Sequence, residues 1–297
     1  MVGAEWIDRT EYPFESKWFD VGKKRMHYID EGTGMPIVFL HDTPGWSFEF
    51  RHLIKGLRNQ FRCIAIDYVG FGLSDKPTEW TYRPDRQAEY FADFIDGLNL
   101  PEFSMVVHGI GGPIGLSYAL QRPSQVSHLV LINTFMWPLN QNQNAKKVDK
   151  LVNGPLGRTA YLSANYAVRK MCSEIKERQF FNRTVQSHYK EPLDEAATRV
   201  GPYGYAKALL GSSGWFQALW DQREVLATIP SEIIWGMQDK LLTDLDLSRW
   251  QMLLPEAPVK KLKNLGHYLV EEMGPGLGPA IEMFVTDTEY LPTATLM

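Results

Sequence analysis

The stretch Ser104-Met-Val-Val-His-Gly-Ile-Gly-Gly-Pro-Ile-Gly-Leu116 decides which fold the sequence predicts. It begins with apolar residues that favour a buried strand, and the glycines in its centre allow a tight turn. Apolar residues then continue to Leu120 with a composition typical of a helix. Two interpretations of this strand–turn–helix unit compete.

The first interpretation is a dinucleotide-binding turn, in which glycines let backbone amides approach a pyrophosphate at a helix N-terminus. Gly109, Gly111 and Gly115 only approximate the required spacing, because the last glycine comes one position too late. That fold also needs an acidic residue about 20 positions further on. The sequence contains no Asp or Glu between Glu102 and Asp149, so it disfavours a nucleotide cofactor.

The second interpretation is a nucleophile elbow, with the pattern small-x-nucleophile-x-Gly-Gly at the edge of a sheet. Three other segments agree with it, and each follows a strand-like run. His41-Asp42-Thr43-Pro44 suits an oxyanion loop, Asp239 suits the acid of a triad, and His267 suits its base. The order elbow, acid, histidine is the order that this architecture uses.

Short apolar runs alternate with helix-like stretches along most of the chain. The predicted strands are the hairpin Lys17–Asp20 and Arg25–Asp30, then Pro36–Leu40, Arg62–Asp67, Phe103–His108, Ser127–Ile132, Ser231–Trp235 and Val259–Leu262. The predicted helices are Phe48–Leu57, Asp85–Leu98, Gly112–Leu120 and Gly278–Phe284. Unbroken apolar strands between helices are typical of a parallel sheet covered on both faces. The predicted fold class is therefore α/β, with a mostly parallel central sheet flanked by helices.

This alternation stops between about Phe135 and Glu224, where Asn, Gln, Lys and Arg are more frequent. The segment predicts only helices: Ala145–Val152, Ala164–Glu177, Leu193–Leu210 and Trp215–Leu226. Because the strand pattern resumes at Ser231, we interpret the segment as a helical cap inserted into the sheet domain. The predicted domains are core residues 1–135 and 225–297 and cap residues 136–224.

Composition limits the possible functions. The 297 residues are 44% hydrophobic, and 31 Lys and Arg against 35 Asp and Glu give a net charge of −4, which disfavours a nucleic-acid partner. Met1–Thr10 contains no apolar leader, and no apolar run approaches the length of a membrane span. Cys63 and Cys172 are too few to cross-link the chain, so we expect a cytoplasmic protein. We also expect a monomer or homodimer without a membrane partner. Cys and His do not occur at ligand spacing, and we expect no metal and no other cofactor.

Several segments resemble the haloalkane dehalogenases of the α/β-hydrolase superfamily. They are Tyr12-Pro-Phe-Glu-Ser-Lys-Trp-Phe-Asp20, Tyr28-Ile-Asp-Glu-Gly-Thr-Gly34, Gly70-Phe-Gly-Leu-Ser-Asp-Lys-Pro77, the elbow and Gly266-His-Tyr. The resemblance covers nearly the whole core and is weak in the insert, which matches the helical cap of that family mainly by position and length. Asn133 ends its strand without a carboxylate, so the chain resembles the branch whose triad acid is at Asp239.

Four positions at the reaction centre differ from that family. Its elbow carries an Asp nucleophile that displaces halide and forms an ester, which a water activated by the His–Asp pair then hydrolyses. Here the nucleophile position is Gly109, and Ile110 and Thr43 replace the usual Trp and Asn halide donors. Asp42 stands where the family has Gly.

Gly109 adopts the positive φ of an elbow without strain, and we expect its missing side chain to leave a small void that faces His267. Asp42 is the best candidate to replace the missing carboxylate, although Asp before Thr-Pro-Gly is also ordinary turn chemistry. His108 precedes the elbow with its side chain on the opposite side of the strand, so we interpret it as structural.

Aromatic residues make up 12% of the chain and suit either an apolar pocket or an ordinary core. We take Trp46, Phe135 and Trp137 as candidates for the pocket that holds a small hydrophobic ligand or substrate.

Three functions fit this sequence. The first is an enzyme in which His267, oriented by Asp239, acts as a general base without a covalent intermediate. In this hypothesis the backbone amides of Ile110 and Thr43 stabilise the developing anion. The second is a catalytically silent protein that binds a ligand in the capped pocket. The third is a haloalkane dehalogenase inactivated by the loss of the Asp at position 109.

Overall fold

The computed structural model describes residues 5–287 and contains one eight-stranded sheet. Residues 1–4 and 288–297, which belong to the predicted core segments, lie outside the described residues. The strands are β1 (Lys17–Val21), β2 (Lys24–Glu31), β3 (Pro36–Leu40), β4 (Arg62–Ile66), β5 (Phe103–Gly109), β6 (Val126–Thr134), β7 (Ser231–Gly236) and β8 (Val259–Leu262). Their order in the sheet is β1-β2-β4-β3-β5-β6-β7-β8.

The sheet is mostly parallel, as the sequence predicts. The pairs β1–β2 and β2–β4 are antiparallel, and all other neighbouring strands in the sheet are parallel. The predicted fold class and every predicted strand are therefore confirmed, with boundaries that differ by at most two residues.

The apolar runs of the central strands are unbroken because both faces of the sheet are covered. In β3, Val38 and Leu40 pack in a hydrophobic core on one face, and Ile37 and Phe39 pack in a second core on the other face. Successive side chains of a strand point to opposite faces, so a strand between two cores needs apolar residues at every position.

The described residues contain twelve α-helices. They are α1 (Arg51–Leu57), α2 (Pro84–Leu98), α3 (Gly111–Gln121), α4 (Gln143–Val152), α5 (Gly157–Leu162), α6 (Tyr166–Glu174), α7 (Arg183–Lys190), α8 (Val200–Gly211), α9 (Ser213–Asp221), α10 (Asp244–Leu253), α11 (Leu269–Met273) and α12 (Gly278–Thr286). The four predicted core helices are confirmed, whereas the sequence analysis missed α5, α7, α10 and α11.

The chain between β6 and β7 is helical and contains no strand in its described residues. One predicted helix of this segment, Leu193–Leu210, begins too early, because α8 begins only at Val200. Pro202 explains the late start: proline lacks an amide hydrogen and is tolerated only in the first turn of a helix. The helical insert has the position expected of a cap, and its exact domain boundaries stay a prediction.

No helix within residues 5–287 is both long and apolar enough to cross a membrane.

Candidate active site

The loops after β3 and β5 meet at the carboxyl edge of the sheet, and the register of the two strands explains why. Leu40 of β3 is paired with Val107 of β5. Asp42 and Gly109 each follow their paired residue by two positions, so the parallel strands deliver them to the same height. Loops at the carboxyl ends of parallel strands form the usual ligand site of such sheets.

Gly109 forms the predicted elbow and has a φ of +52°. A Cβ atom added to Gly109 would lie 2.0 Å from Oδ1 of Asp42 and 2.1 Å from its Cγ. The carboxyl group of Asp42 therefore fills the volume in which a side chain of residue 109 would begin. The expected void beside His267 is wrong, because a side chain from the neighbouring loop occupies it.

The Asp42 carboxylate is bound at both oxygens. Its Oδ1 accepts a hydrogen bond of 2.8 Å from the amide of Ile110, and its Oδ2 lies 3.0 Å from Nε2 of His267. Asp42 is 5% exposed, so the alternative of a solvent-facing turn residue is wrong. The Ile110 amide, which we expected to stabilise a substrate anion directly, is already bonded to Asp42.

His267 lies between two carboxylates. Its Nδ1 is 2.5 Å from Oδ2 of Asp239, and its Nε2 faces Asp42. Burial opposes the charged imidazolium, but Asp239 and Asp42 outweigh this effect and raise the pKa of His267 well above its usual value. Because carboxylates only accept hydrogen bonds, a protonated His267 satisfies both contacts.

Asp239 is held in place by donors on both of its oxygens. Asn133 donates from Nδ2 to Oδ2 at 2.8 Å, and the amides of Leu241 and Leu242 donate to Oδ1 at 2.7 and 3.0 Å. Burial opposes its charge, but the positive charge and hydrogen bond of His267 together with these donors lower the pKa of Asp239. In the sequence Asn133 was notable only because it ends its strand without a carboxylate. In the structure its side chain positions Asp239, the acid that follows the neighbouring strand β7.

His108 and Glu49 form a second buried pair beside His267. The sequence analysis missed Glu49. Nδ1 of His108 is hydrogen-bonded to a carboxylate oxygen of Glu49, and its Nε2 donates to the carbonyl of His267 at 2.8 Å. Burial disfavours a charge on His108, yet Glu49 raises the pKa of this histidine. His108 has the structural role expected from the sequence, and it positions the backbone of His267. An acidic residue between Phe48 and Phe50 was the available signal for Glu49.

A cavity of about 410 Å³ opens onto these groups. Asp42, Thr43, Gly109, Ile110 and His267 line it, together with the predicted pocket residue Phe135. Its other aromatic lining residues are Tyr161, Tyr166, Tyr205 and Tyr268. The sequence analysis did not identify these tyrosines, because three of them lie in the insert, where no family motif could be matched.

Two predicted pocket residues lie elsewhere. Trp46 is 1% exposed, packs against Tyr12 with ring centroids 4.9 Å apart, and donates its indole N–H to the carbonyl of His188. Trp137 packs against Trp220 and Trp250, at 5.1 Å from each ring. Both tryptophans bury large apolar rings and bond their single N–H group within the core, so their assignment to the pocket is wrong.

The described residues 5–287 contain no cluster of three or more His, Cys, Asp or Glu side chains arranged to hold a metal ion.

Comparison with known proteins gives a consistent picture. A family model described as alpha/beta hydrolase fold matches residues 35–273. Haloalkane dehalogenase 2 of Mycobacterium tuberculosis (strain ATCC 25618 / H37Rv) is 35% identical over 278 residues, which cover 92% of this chain and 96% of that protein. The cis-3-alkyl-4-alkyloxetan-2-one decarboxylase of Xanthomonas campestris pv. campestris is 31% identical over 301 residues, with coverage of 92% and 97%. The crystal structure of haloalkane dehalogenase DbeA from Bradyrhizobium elkani USDA94 superimposes with a TM-score of 0.83 at 23% identity, covering 92% of this chain and 97% of that one.

Proposed function

The chain belongs to the α/β-hydrolase family and is haloalkane dehalogenase-like, and from this premise we propose that it is an enzyme acting on a small hydrophobic molecule. In this proposal Asp42 supplies the carboxylate that residue 109 lacks, and His267 with Asp239 supplies acid–base chemistry. The observation that carries the proposal is the Asp42 carboxyl group, which lies 2.0 Å from the Cβ position of residue 109 and contacts His267.

The first chemical step of the proposal is attack by Oδ2 of Asp42 on a carbon of the substrate. The C–O bond forms as the bond to the leaving group breaks, and Asp42 becomes an ester. Oδ1 is then the carbonyl oxygen of that ester. Because Oδ1 lies 2.8 Å from the Ile110 amide, that amide can stabilise the negative charge that Oδ1 gains when water adds to the ester.

The second step uses His267 as the base that activates this water. In the resting site two carboxylates raise the pKa of His267 and keep the imidazolium protonated. Esterification removes the charge of Asp42, which lowers the pKa of His267, so that the imidazolium passes its proton to the solvent. The histidine therefore becomes a base only after the ester has formed.

The non-covalent route expected from the sequence is the second candidate, and the direct contact between Asp42 and His267 favours it. In that route the hydrogen-bonded pair exchanges a proton with the substrate, and water attacks the substrate rather than an ester. A catalytically silent binding protein, a third candidate, uses only the cavity of about 410 Å³.

One experiment separates these candidates. The wild-type chain and His267→Gln are incubated in ¹⁸O-labelled water with 1-bromohexane, 1,2-epoxyhexane or a cis-3,4-dialkyl-oxetan-2-one. The covalent route predicts a substrate adduct on Asp42 that accumulates in His267→Gln, and ¹⁸O in the wild-type Asp42 carboxyl group after a single turnover. The control variant is Glu232→Gln, which removes a buried carboxylate that pairs with Lys260 outside the cavity.

Each other result assigns a different function. Label that enters only the product, without an adduct, supports the non-covalent route. Binding without turnover of any of these compounds supports the silent protein and contradicts the proposed enzyme.

We further propose that the protein is cytoplasmic. Cys63 and Cys172 are both free thiols, in keeping with a cytoplasmic protein. We also propose that the protein is a monomer or homodimer, and light scattering measures which of the two it forms.

A further inference from the structure

The cavity beside Asp42 continues into a more open space, which we call the vestibule. The vestibule has a volume of about 630 Å³, and Arg169 lies in its wall. A ligand bound beside Asp42 can extend through the cavity into the vestibule, because five residues line both spaces: Tyr166, Lys170, Ser173, Glu174 and Lys240.

The cavity itself has a largely apolar wall. Its lining includes Ile110, Phe135, Val148, Leu151 and Leu209. Ligand sites of this kind combine apolar walls with a few polar groups that fix the orientation of the ligand. The wall therefore suits a hydrocarbon chain, and the polar groups at its open end determine what that chain can carry.

Four lysines line the cavity, and three of them have no acidic partner among the described residues. These three are Lys147, Lys176 and Lys240, which we call the mouth lysines, and all of them are exposed to solvent. The fourth, Lys170, is paired with Glu174. The solvent-facing end of the cavity is therefore basic, although the whole chain has a net charge of −4.

The acidic groups of the lining do not neutralise the mouth lysines. Asp42 and Asp239 are buried and flank His267, whose imidazolium offsets one of their two charges. Glu174 is bonded to Lys170, which balances its charge. The excess positive charge at the mouth thus remains available to an anionic group of a ligand.

Two of the mouth lysines are held on the same side of the cavity by Asn144. Lys147 belongs to α4, whereas Lys240 lies in the loop after β7. Oδ1 of Asn144 accepts a hydrogen bond of 3.0 Å from Nζ of Lys147, and its Nδ2 donates to the carbonyl oxygen of Lys240. Like charges that are gathered in one place repel each other, and a bound anion offsets that repulsion.

On the basis of the function proposed above, we propose that the substrate is a hydrocarbon chain with an anionic head group, either a carboxylate or a phosphate. The reactive carbon of the chain lies beside Asp42, and the head group lies among the mouth lysines. Because these lysines are exposed, the head group keeps much of its hydration and gains the attraction of several cations.

The first test measures binding and does not depend on turnover. Isothermal titration calorimetry compares octanoate, octyl phosphate and octan-1-ol, which share one chain and differ in the head group. We expect at least one of the anions to bind the wild type about tenfold more tightly than the alcohol at low ionic strength. This preference should shrink between about 0.01 and 0.5 M NaCl, because salt screens exposed charges.

Two double variants locate the effect. Lys147→Gln/Lys240→Gln removes two mouth lysines, and Lys146→Gln/Lys261→Gln removes two exposed lysines that do not line the cavity. Both variants change the net charge equally, so a general effect of charge appears in both. We expect the mouth variant to weaken binding of the preferred anion about tenfold more than binding of octan-1-ol, and the control to retain the preference of the wild type.

The second test measures turnover with matched substrates. The pairs are 8-bromooctanoate with its methyl ester and 7,8-epoxyoctanoate with its methyl ester, followed by release of bromide or loss of the epoxide. We expect kcat/KM to be about tenfold higher for the acid than for the ester in the wild type and in the control, and about equal in the mouth variant.

The outcomes separate this inference from the proposed function. Octan-1-ol that binds as tightly as both anions overturns the inference, and so does an equal loss of preference in the two double variants. Turnover of the methyl esters without preference for the acids overturns it and leaves the proposed enzyme intact. Binding that prefers an anion, without turnover of any compound, supports the anionic ligand and contradicts the proposed enzyme. The anion that binds more tightly, octanoate or octyl phosphate, assigns the head group.

Discussion

Relative to the haloalkane dehalogenase pattern, the turns that follow β3 and β5 have exchanged their Gly and Asp residues. The haloalkane dehalogenase pattern has Gly after the loop histidine and Asp at the elbow, whereas this chain has Asp42 in the first turn and Gly109 in the second. The register of Leu40 with Val107 makes the two turns neighbours, and the Asp42 carboxyl group lies where the elbow side chain would begin. The comparison teaches that a site can keep a charged group in one place while the residue that supplies it changes.

If Asp42 supplies the carboxylate that the elbow lacks, activity depends on its side chain. We expect Asp42→Asn to lower kcat by at least about 1000-fold, because the variant keeps the shape of the side chain and loses the nucleophile. Steady-state kinetics on whichever test substrate the wild type converts measure this loss. Glu232→Gln, which removes a buried carboxylate outside the cavity, should keep nearly full activity. A fully active Asp42→Asn variant would contradict the proposed role.

The exchange of residues can be tested directly by reversing it. Gly109→Asp puts a second carboxylate into an occupied volume, and we expect a loss of unfolding free energy of about 3 kcal/mol or more. The double variant Asp42→Gly/Gly109→Asp removes the clash and should recover most of that stability. Urea unfolding of the wild type, of the single variants Asp42→Gly and Gly109→Asp, and of the double variant gives the coupling between the positions. Additive effects of the two substitutions would show that the turns do not share one volume.

The charge on His267 reports on Asp42 with a defined sign. In the wild type the imidazolium should persist as the pH rises past the usual histidine pKa of about 6.5. Asp42→Asn removes one of the two carboxylates, so the pKa of His267 should fall. The ion pair of Asp42 with His267 stabilises the folded state only while both groups are charged. This stabilisation is lost as the pH falls through the lowered pKa of Asp42, and it is lost as the pH rises through the raised pKa of His267. Titration of the His267 ring by NMR checks the direction, and an unchanged pKa contradicts it.

The smallest expected effect concerns the pair beneath the site. Glu49→Gln removes the charge that raises the pKa of His108, and we expect a roughly tenfold fall in kcat, which corresponds to about 1.4 kcal/mol in the activation free energy. The pH profile of kcat should shift as well, because His108 is bonded to the carbonyl of His267. Loss of stability with an unchanged profile would assign Glu49 a structural role alone.

The sequence predicts the core fold well because each central strand is buried on both faces and leaves an unbroken apolar run. It also brings Asp239, His267 and Asp42 forward as candidates, since each follows a strand at the carboxyl edge, and the structure places the three side chains in contact. Their catalytic role stays a prediction. It does not identify the occupant of the space beside Gly109, because that depends on the pairing of β3 with β5, which a single sequence does not reveal.

The insert is predicted less well for a different physical reason. Its helices are short and interrupted, and their polarity reflects a surface position rather than a function. The cavity tyrosines, including Tyr205, carry no motif that distinguishes them from packing residues. The same lack of a motif led to the wrong assignment of Trp46 and Trp137, whose burial in the core follows only from the folded structure.

The 2.0 Å between Oδ1 of Asp42 and the Cβ position of residue 109 also constrains history. A side chain at position 109 would clash with the Asp42 carboxylate where it lies here, so an acid at each position would require one of the two side chains to move. A lineage that exchanged the two residues would therefore lose the least stability if the elbow changed to Gly before Asp appeared at position 42.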